Sequence, residues 1–186
     1  MTAKHAALST QSIALVGMMG VGKTTIGRRL AKRLGMPFHD SDEEIEKASG
    51  RTVKGYFRDH GVEAFRAGER KVIERLLTEG PPIILATGGG AFIPEGTREI
   101  LNANATTVWL KADHHVIFKR VRRKNTRPLL DVPNPSQRLQ ELIDERYPIY
   151  AQAHITVDSN VGPHKSTVNR ALKALEGHGV IACGTS

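Results

Sequence analysis

The sequence predicts an open α/β domain, a five-stranded parallel sheet with helices on both faces. Three observations point there. Short apolar runs alternate with helical stretches from residue 12 to about 177. The runs at 12–17 and 83–86 are almost wholly apolar, as strands covered on both faces are. The first run passes through a glycine-rich turn straight into a helix, with the spacing G-x-x-x-x-G-K-T. A chain of 186 residues suits one domain, which buries roughly 70% of its unfolded surface. Hydrophobic residues at 39% and charged residues at 25% exclude a disordered or fibrous chain. The single cysteine, Cys183, excludes an intrachain disulfide and a cysteine-rich metal centre. No run approaches the ~18 apolar residues of a membrane span, and MTAKHAALST has no apolar signal core. A cytoplasmic location with no membrane partner is therefore expected.

Each element follows in order. SIALVG at 12–17 is a short apolar run ended by glycine, a buried strand. Between 23 and 34, Ile26, Leu30 and Leu34 recur every four residues among Arg and Lys, an amphipathic helix. MPFHD at 36–40 reads as a second strand. Ser41 with Glu44 three residues on is a capping-box signature for a helix through about Ala48. A helix-rich stretch broken by Gly50, Gly55 and Gly61 leads to a long helix over 62–78, which Gly80-Pro81-Pro82 ends. IILA at 83–86 is the third strand, and Pro94 opens the next helix. TTVWL at 106–110 is the fourth strand, with Trp109 in the core and no aromatic neighbours in sequence. Asp113 suits the N-cap of a helix through Arg122, on which His114 and His115 read as surface residues. Residues 123–136 hold three prolines and read as a mobile lid loop. A helix over 137–150, a strand at 155–157 and a helix over 164–176 complete the domain of 12–177. Residues 1–11 and 178–186 are expected to be flexible tails.

The turn Gly17-Met-Met-Gly20-Val21-Gly22-Lys23-Thr24 lets successive backbone N–H groups wrap a polyphosphate at a helix N-terminus. Lys23 supplies a point charge for the β- and γ-phosphates and Thr24 a hydroxyl for Mg²⁺. The glycine order disfavours a dinucleotide site, so a nucleoside triphosphate is the expected ligand. P-loop enzymes often end a neighbouring strand in a metal-side Asp, yet the strand at 83–86 runs into Thr87 and three glycines. The nearest acids are Asp40 and Asp42. Alternate residues of extended chain share a face, so one carboxylate can serve the metal and the other an acceptor hydroxyl. Capping of the following helix explains the pair as simply. Gly88, Gly89 and Gly90 suit a ligand pressed against backbone, or a flexible turn. Arg127 in the lid can swing onto a transferring phosphoryl group, or be a solvated loop residue.

With 27 Lys+Arg against 19 Asp+Glu, the net charge of +8 invites a nucleic-acid reading. Aromatic residues are only 5%, which leaves few stacking platforms. The basic clusters at 28–33 and 119–127 match no DNA-binding motif, the first being most simply a solvated helix face. A small anionic substrate draws on the same charge, and no nucleic-acid partner is expected.

Six segments together resemble the shikimate kinase family over about residues 12–160: GMMGVGKTTIGRRLA at 17–31, FHDSD at 38–42, FRAGE at 65–69, ATGGG at 86–90, RPLL at 127–130 and ERYPIY at 145–150. The resemblance implies a single-domain P-loop kinase of the nucleoside monophosphate kinase-like fold, and a small kinase domain with no obvious apolar surface stripe is expected to be a monomer. Its substrate-binding subdomain would lie at about 41–70 and its lid at about 123–136. It implies transfer of the γ-phosphoryl of ATP to the 3-hydroxyl of shikimate, within chorismate and aromatic amino acid biosynthesis. Gly20, Val21, Gly22, Lys23, Thr24 and Thr25 would hold the nucleotide phosphates, with Mg²⁺ on Thr24 and, through water, Asp40. Asp42 would orient or deprotonate the acceptor hydroxyl, with Lys23 and Arg127 on the transferring phosphoryl. Arg120 would lie near adenine, with further contacts around 160–163. Arg66 and Arg146 would bind the shikimate carboxylate, Gly88, Gly89 and Gly90 would offer backbone to the ring, and Phe57 and Phe65 would line it. The family's common Gly-Glu ahead of Phe-Arg is Gly61-Val62 here, while Glu69 remains placed to brace Arg66. Three rivals stand beside this reading. A nucleoside monophosphate kinase would need an Asp-Gly-Phe-Pro-Arg-like segment, which is missing. A gluconate-type sugar kinase shares the phosphate loop, and a nucleic-acid-dependent ATPase would account for the charge.

Overall fold

The five strand segments form one parallel sheet in a computed structural model that describes residues 11–122, 128–160 and 162–182. The strands are β1 (Ser12–Val16), β2 (Phe38–Asp40), β3 (Ile84–Ala86), β4 (Ala105–Lys111) and β5 (Ile155–Asp158). Among them run α1 (Lys23–Leu34), α2 (Ser41–Ser49), α3 (Val53–Thr78), α4 (Glu95–Asn104), α5 (His114–Arg122), α6 (Pro135–Tyr150) and α7 (His164–Gly177). The strand order is β2-β3-β1-β4-β5, every pair parallel. Ile13, Ala14, Leu15 and Val16 of the central β1 are all 0% exposed, so both faces are covered there. The edge strand β5 instead alternates buried and exposed residues. Among the described residues, no helix is long and apolar enough to cross a membrane.

The chain leaves β1 for β2 on one side, returns to β3, then crosses to β4 on the other side. In an open α/β sheet, such a reversal opens a crevice at the carboxyl ends of the strands. The phosphate loop follows β1, Asp40 ends β2 and the three glycines follow β3, so all three open on that crevice.

Several boundaries differ from the sequence reading, each for a local reason. The second strand starts at Phe38 because the Met36 N–H still bonds to Ala31 O of α1 at 3.0 Å. Asp40, not Ser41, caps α2: its Oδ1 accepts from the Asp42 N–H at 3.0 Å. Ser41 is buried instead, its hydroxyl accepting from the Gly88 N–H at 2.9 Å. The third helix begins at Val53, where Thr52 Oγ1 caps the Gly55 N–H, so Gly55 does not break it. Gly61, at φ 80° and ψ 173°, kinks it.

The proline-rich loop ends sooner than expected. Asn134 Oδ1 accepts from the Gln137 N–H, and Pro135 suits the first helical turn because it needs no donor partner there. Pro128–Leu130 forms a short 3-10 turn. Arg127 and the rest of 123–127 lie outside the described residues, as do 1–10, 161 and 183–186. Within the segment read as a flexible tail, Ile181 is 6% exposed and joins the core. Trp109 does have aromatic neighbours, supplied by α6: Tyr147 stands edge-on at 5.0 Å and Tyr150 tilted at 6.0 Å.

Candidate active site

The phosphate loop is shaped by its glycines. Gly17 has φ 134°, and a Cβ there would stand 2.7 Å from Leu110 O, so no other residue fits. Gly20 and Gly22 also have positive φ, and Gly22 delivers the chain into α1. The first turn of α1 has neither an acidic residue nor a side-chain cap, which leaves its N–H groups for an anion. Lys23 is buried against the loop and donates to Gly17 O at 2.7 Å and Met18 O at 2.9 Å. Thr24 Oγ1 donates to Asp40 Oδ2 at 2.7 Å, which places two hard oxygen groups side by side at the loop's edge. Thr25 is exposed on the same turn.

The far side of the loop is tied down. The Ser159 hydroxyl donates to Val21 O at 3.0 Å. Arg120 donates to Ser159 O at 2.9 Å and reaches Val21 O at 3.4 Å, and burial holds its pKa below the usual guanidinium value. The His164 ring stands 3.3 Å from the position a Cβ on Gly22 would take. Arg120 thus borders the loop where β5 ends.

Gly88, Gly89 and Gly90 serve space rather than backbone freedom, since none has a positive φ. A Cβ on Gly88 would lie 2.8 Å from Asp42 Oδ1 and 3.2 Å from Glu69 Oε1. One on Gly89 would lie 3.3 Å from Met19 N of the phosphate loop. One on Gly90 would collide with the Arg66 guanidinium, whose Cζ is 3.0 Å away. The glycines form a cradle with the phosphate loop at its back and a carboxylate and a guanidinium at its sides.

Around the cradle, Arg66 pairs with Glu69, a side chain only 1% exposed. Burial raises the Glu69 pKa against the opposing pull of Arg66, and the Asp42 charge adds to the rise. Oε1 of Glu69 has no hydrogen-bond partner among the described residues. Phe65 is buried and stacks on Phe57 at 4.1 Å, and Arg66 lies over Phe65 at 5.4 Å. The Tyr150 hydroxyl donates to Gly89 O, and the charge of Arg146 acts on the same hydroxyl.

Most residues singled out in the sequence therefore meet in one cleft. Asp40 and Asp42 are not alternate residues of one strand, as the spacing suggested. Asp40 ends β2 and Asp42 sits in the first turn of α2, so the strand-to-helix turn brings both to the crevice. Tyr150, Ser159 and Ser41 carry site geometry that sequence reasoning missed. Tyr150 at least lies within the ERYPIY segment, whereas Ser159 and Ser41 have no signal beyond hydroxyls near strand ends.

A polyphosphate loop facing a cradle walled by a carboxylate and an arginine suits phosphoryl transfer to a small anionic acceptor. A family model described as shikimate kinase matches residues 19–176. The shikimate kinase of Nitrobacter winogradskyi is 53% identical over 174 residues, covering 94% of this chain and 81% of that one. That of Bradyrhizobium diazoefficiens is 51% identical over 172 residues, covering 92% and 83%. Among solved structures, shikimate kinase from Acinetobacter baumannii in complex with shikimate is 38% identical with a TM-score of 0.85, covering 92% of this chain and 94% of that one. Sequence and fold agree over nearly the whole length, and the chain belongs to the shikimate kinase family.

Proposed function

We propose that this chain transfers the γ-phosphoryl group of ATP to the 3-hydroxyl of shikimate, giving shikimate 3-phosphate and ADP for aromatic amino acid biosynthesis. The observation that carries the reading is the cradle itself. Its Gly89 backs onto the phosphate loop at Met19 N, and its walls are Asp42 and Arg66. Donor and acceptor are thereby held side by side, which is most of what phosphoryl transfer asks of a protein.

The roles follow from position. The loop N–H groups and Lys23 hold the phosphates, Lys23 turning from its carbonyl partners to the nucleotide. Thr24 and Asp40 offer the hard oxygens that suit Mg²⁺. No group of three His, Cys, Asp or Glu stands by among the described residues, so phosphate oxygens and water would complete its shell. Bound there, Mg²⁺ would supply positive charge against the phosphates. Asp42 accepts the hydrogen of the acceptor hydroxyl and aims its oxygen at the γ-phosphorus. The new O–P bond forms as the bond to the ADP oxygen breaks, and the hydroxyl proton leaves through Asp42. Arg66, held by Glu69, and Arg146, held beside Tyr150, pair with the acceptor carboxylate. Phe57 and Phe65 wall the ring, Arg120 borders the nucleotide, and Arg127 completes the charge on the transferring group. The chain acts as a monomer and without nucleic acid.

The test is ADP release with MgATP and a panel of acceptors: shikimate, gluconate, AMP, CMP and single-stranded DNA. Turnover with shikimate alone supports the reading. Silence with shikimate and turnover with another acceptor overturns the roles of Asp42, Arg66 and Arg146.

A further inference from the structure

We propose that Tyr150 is a positioning residue for the acceptor, its hydroxyl setting the Gly89 peptide and the Arg146 guanidinium against each other so that both meet the acceptor together. The inference rests on the acceptor reading above and assigns a role to a hydroxyl that makes no contact with the acceptor in that reading.

Tyr150 is 0% exposed at the end of α6, with Phe92, Trp109 and Tyr147 around its ring. A phenylalanine ring would fill that space equally well, so packing alone does not call for the hydroxyl. The hydroxyl is nonetheless buried, where an unpartnered polar group is costly. It donates to Gly89 O and stands 3.9 Å from Met18 Sδ of the phosphate loop. Within the cradle, Gly88 O and Gly90 O accept from the N–H groups of Ala91 and Ile93, while Gly89 O accepts from Tyr150. A trans peptide is planar, with its C=O and N–H antiparallel. Anchoring Gly89 O in the core therefore turns the Gly90 N–H the opposite way, out of the core. The charge of Arg146 acts on the same hydroxyl, which links the cradle to the second arginine. Burial pushes the Tyr150 pKa up to about 12, which keeps the donor proton in place.

Tyr147 supplies the comparison. It sits one turn earlier on α6 and its hydroxyl also donates to a backbone carbonyl, that of Ala112 beyond β4, away from the cradle. A purely structural role predicts similar losses from Tyr147→Phe and Tyr150→Phe.

The experiment is steady-state kinetics of the full chain, with shikimate and MgATP varied separately, beside melting curves for the parent and both variants. Tyr150→Phe should raise KM for shikimate about tenfold, the loss of roughly one buried hydrogen bond, with KM for ATP unchanged. Tyr147→Phe should lower the melting temperature comparably and leave both KM values alone. Shikimate should also raise the melting temperature less in Tyr150→Phe than in the parent, while ATP raises it equally. An unchanged shikimate KM in Tyr150→Phe overturns the proposal, as does an equal rise in Tyr147→Phe or a Tyr150→Phe chain that does not fold. A parent that does not phosphorylate shikimate refutes the acceptor reading itself, which the parent's own rate reveals separately.

Discussion

A methyl group at Gly88 would stand 2.8 Å from Asp42 Oδ1 and 3.2 Å from Glu69 Oε1, closer than carbon and oxygen normally pack. Gly88→Ala therefore separates the energetics of folding from those of catalysis. Alanine suits the backbone, since φ at Gly88 is not positive, and restricting the unfolded chain stabilises by about 0.4–1 kcal/mol. Against that, the crowded atom is the end of a short rotatable side chain. Asp42 can yield by leaving its rotamer minimum, at about 0.5–1.5 kcal/mol. The two effects nearly cancel, so the melting temperature should barely move. The carboxylate, however, no longer meets the acceptor oxygen where it should, and a misplacement of about 1 Å can cost about 10²-fold in rate. A coupled ADP-release assay, with kcat and KM for each substrate beside a melting curve, checks this. A parental kcat at an unchanged melting temperature would refute the claim that the glycine keeps space for Asp42. A large loss of melting temperature would show that Gly88 serves the fold instead.

Asp42→Asn should lower kcat by about 10²–10⁴ as a lost acceptor base, with ATP binding retained in a nucleotide titration. Arg66→Ala should raise KM for shikimate about 10- to 100-fold, the scale of a lost hydrogen bond to a charged group. It also strips the buried Glu69 of its ion pair, and the resulting loss of stability should shrink at acid pH as Glu69 takes up a proton, its pKa already being raised by burial. Burial pushes the hydroxyl pKa of both Tyr147 and Tyr150 up from 10.0 to about 12. The folded state then binds more protons in that window, so stability is full below about pH 10 and falls as pH rises toward 12. Denaturation midpoints measured across that range should show the slope, and a flat profile would contradict it.

The sheet and the phosphate loop were legible because their causes are local. A short apolar run flanked by glycine favours a buried strand, and Gly17, Gly20 and Gly22 announce their turn by spacing. Arg66 and Arg146 were legible only through resemblance to a family. Asp42 was legible from its own segment only as one of two readings, helix cap or acceptor carboxylate, since nothing in the neighbours of any of the three says what it faces. Short-range rules also left ambiguities that the packing resolved. Ser41 and Asp40 both suit a helix cap, and Asp40 takes it because Ser41 is drawn inward to Gly88. The kink at Gly61 and the cap at Asn134 likewise depended on which of several plausible breakers was used. By itself, then, the sequence determined the strands, most of the helices and the polyphosphate site. Only the tertiary structure decided the strand order and the glycine cradle, in which Tyr150 meets Gly89 across 61 residues of chain. The physical reason is that periodicity tells which face of an element is buried, whereas crossing from β3 over β1 to β4 decides what that face is buried against.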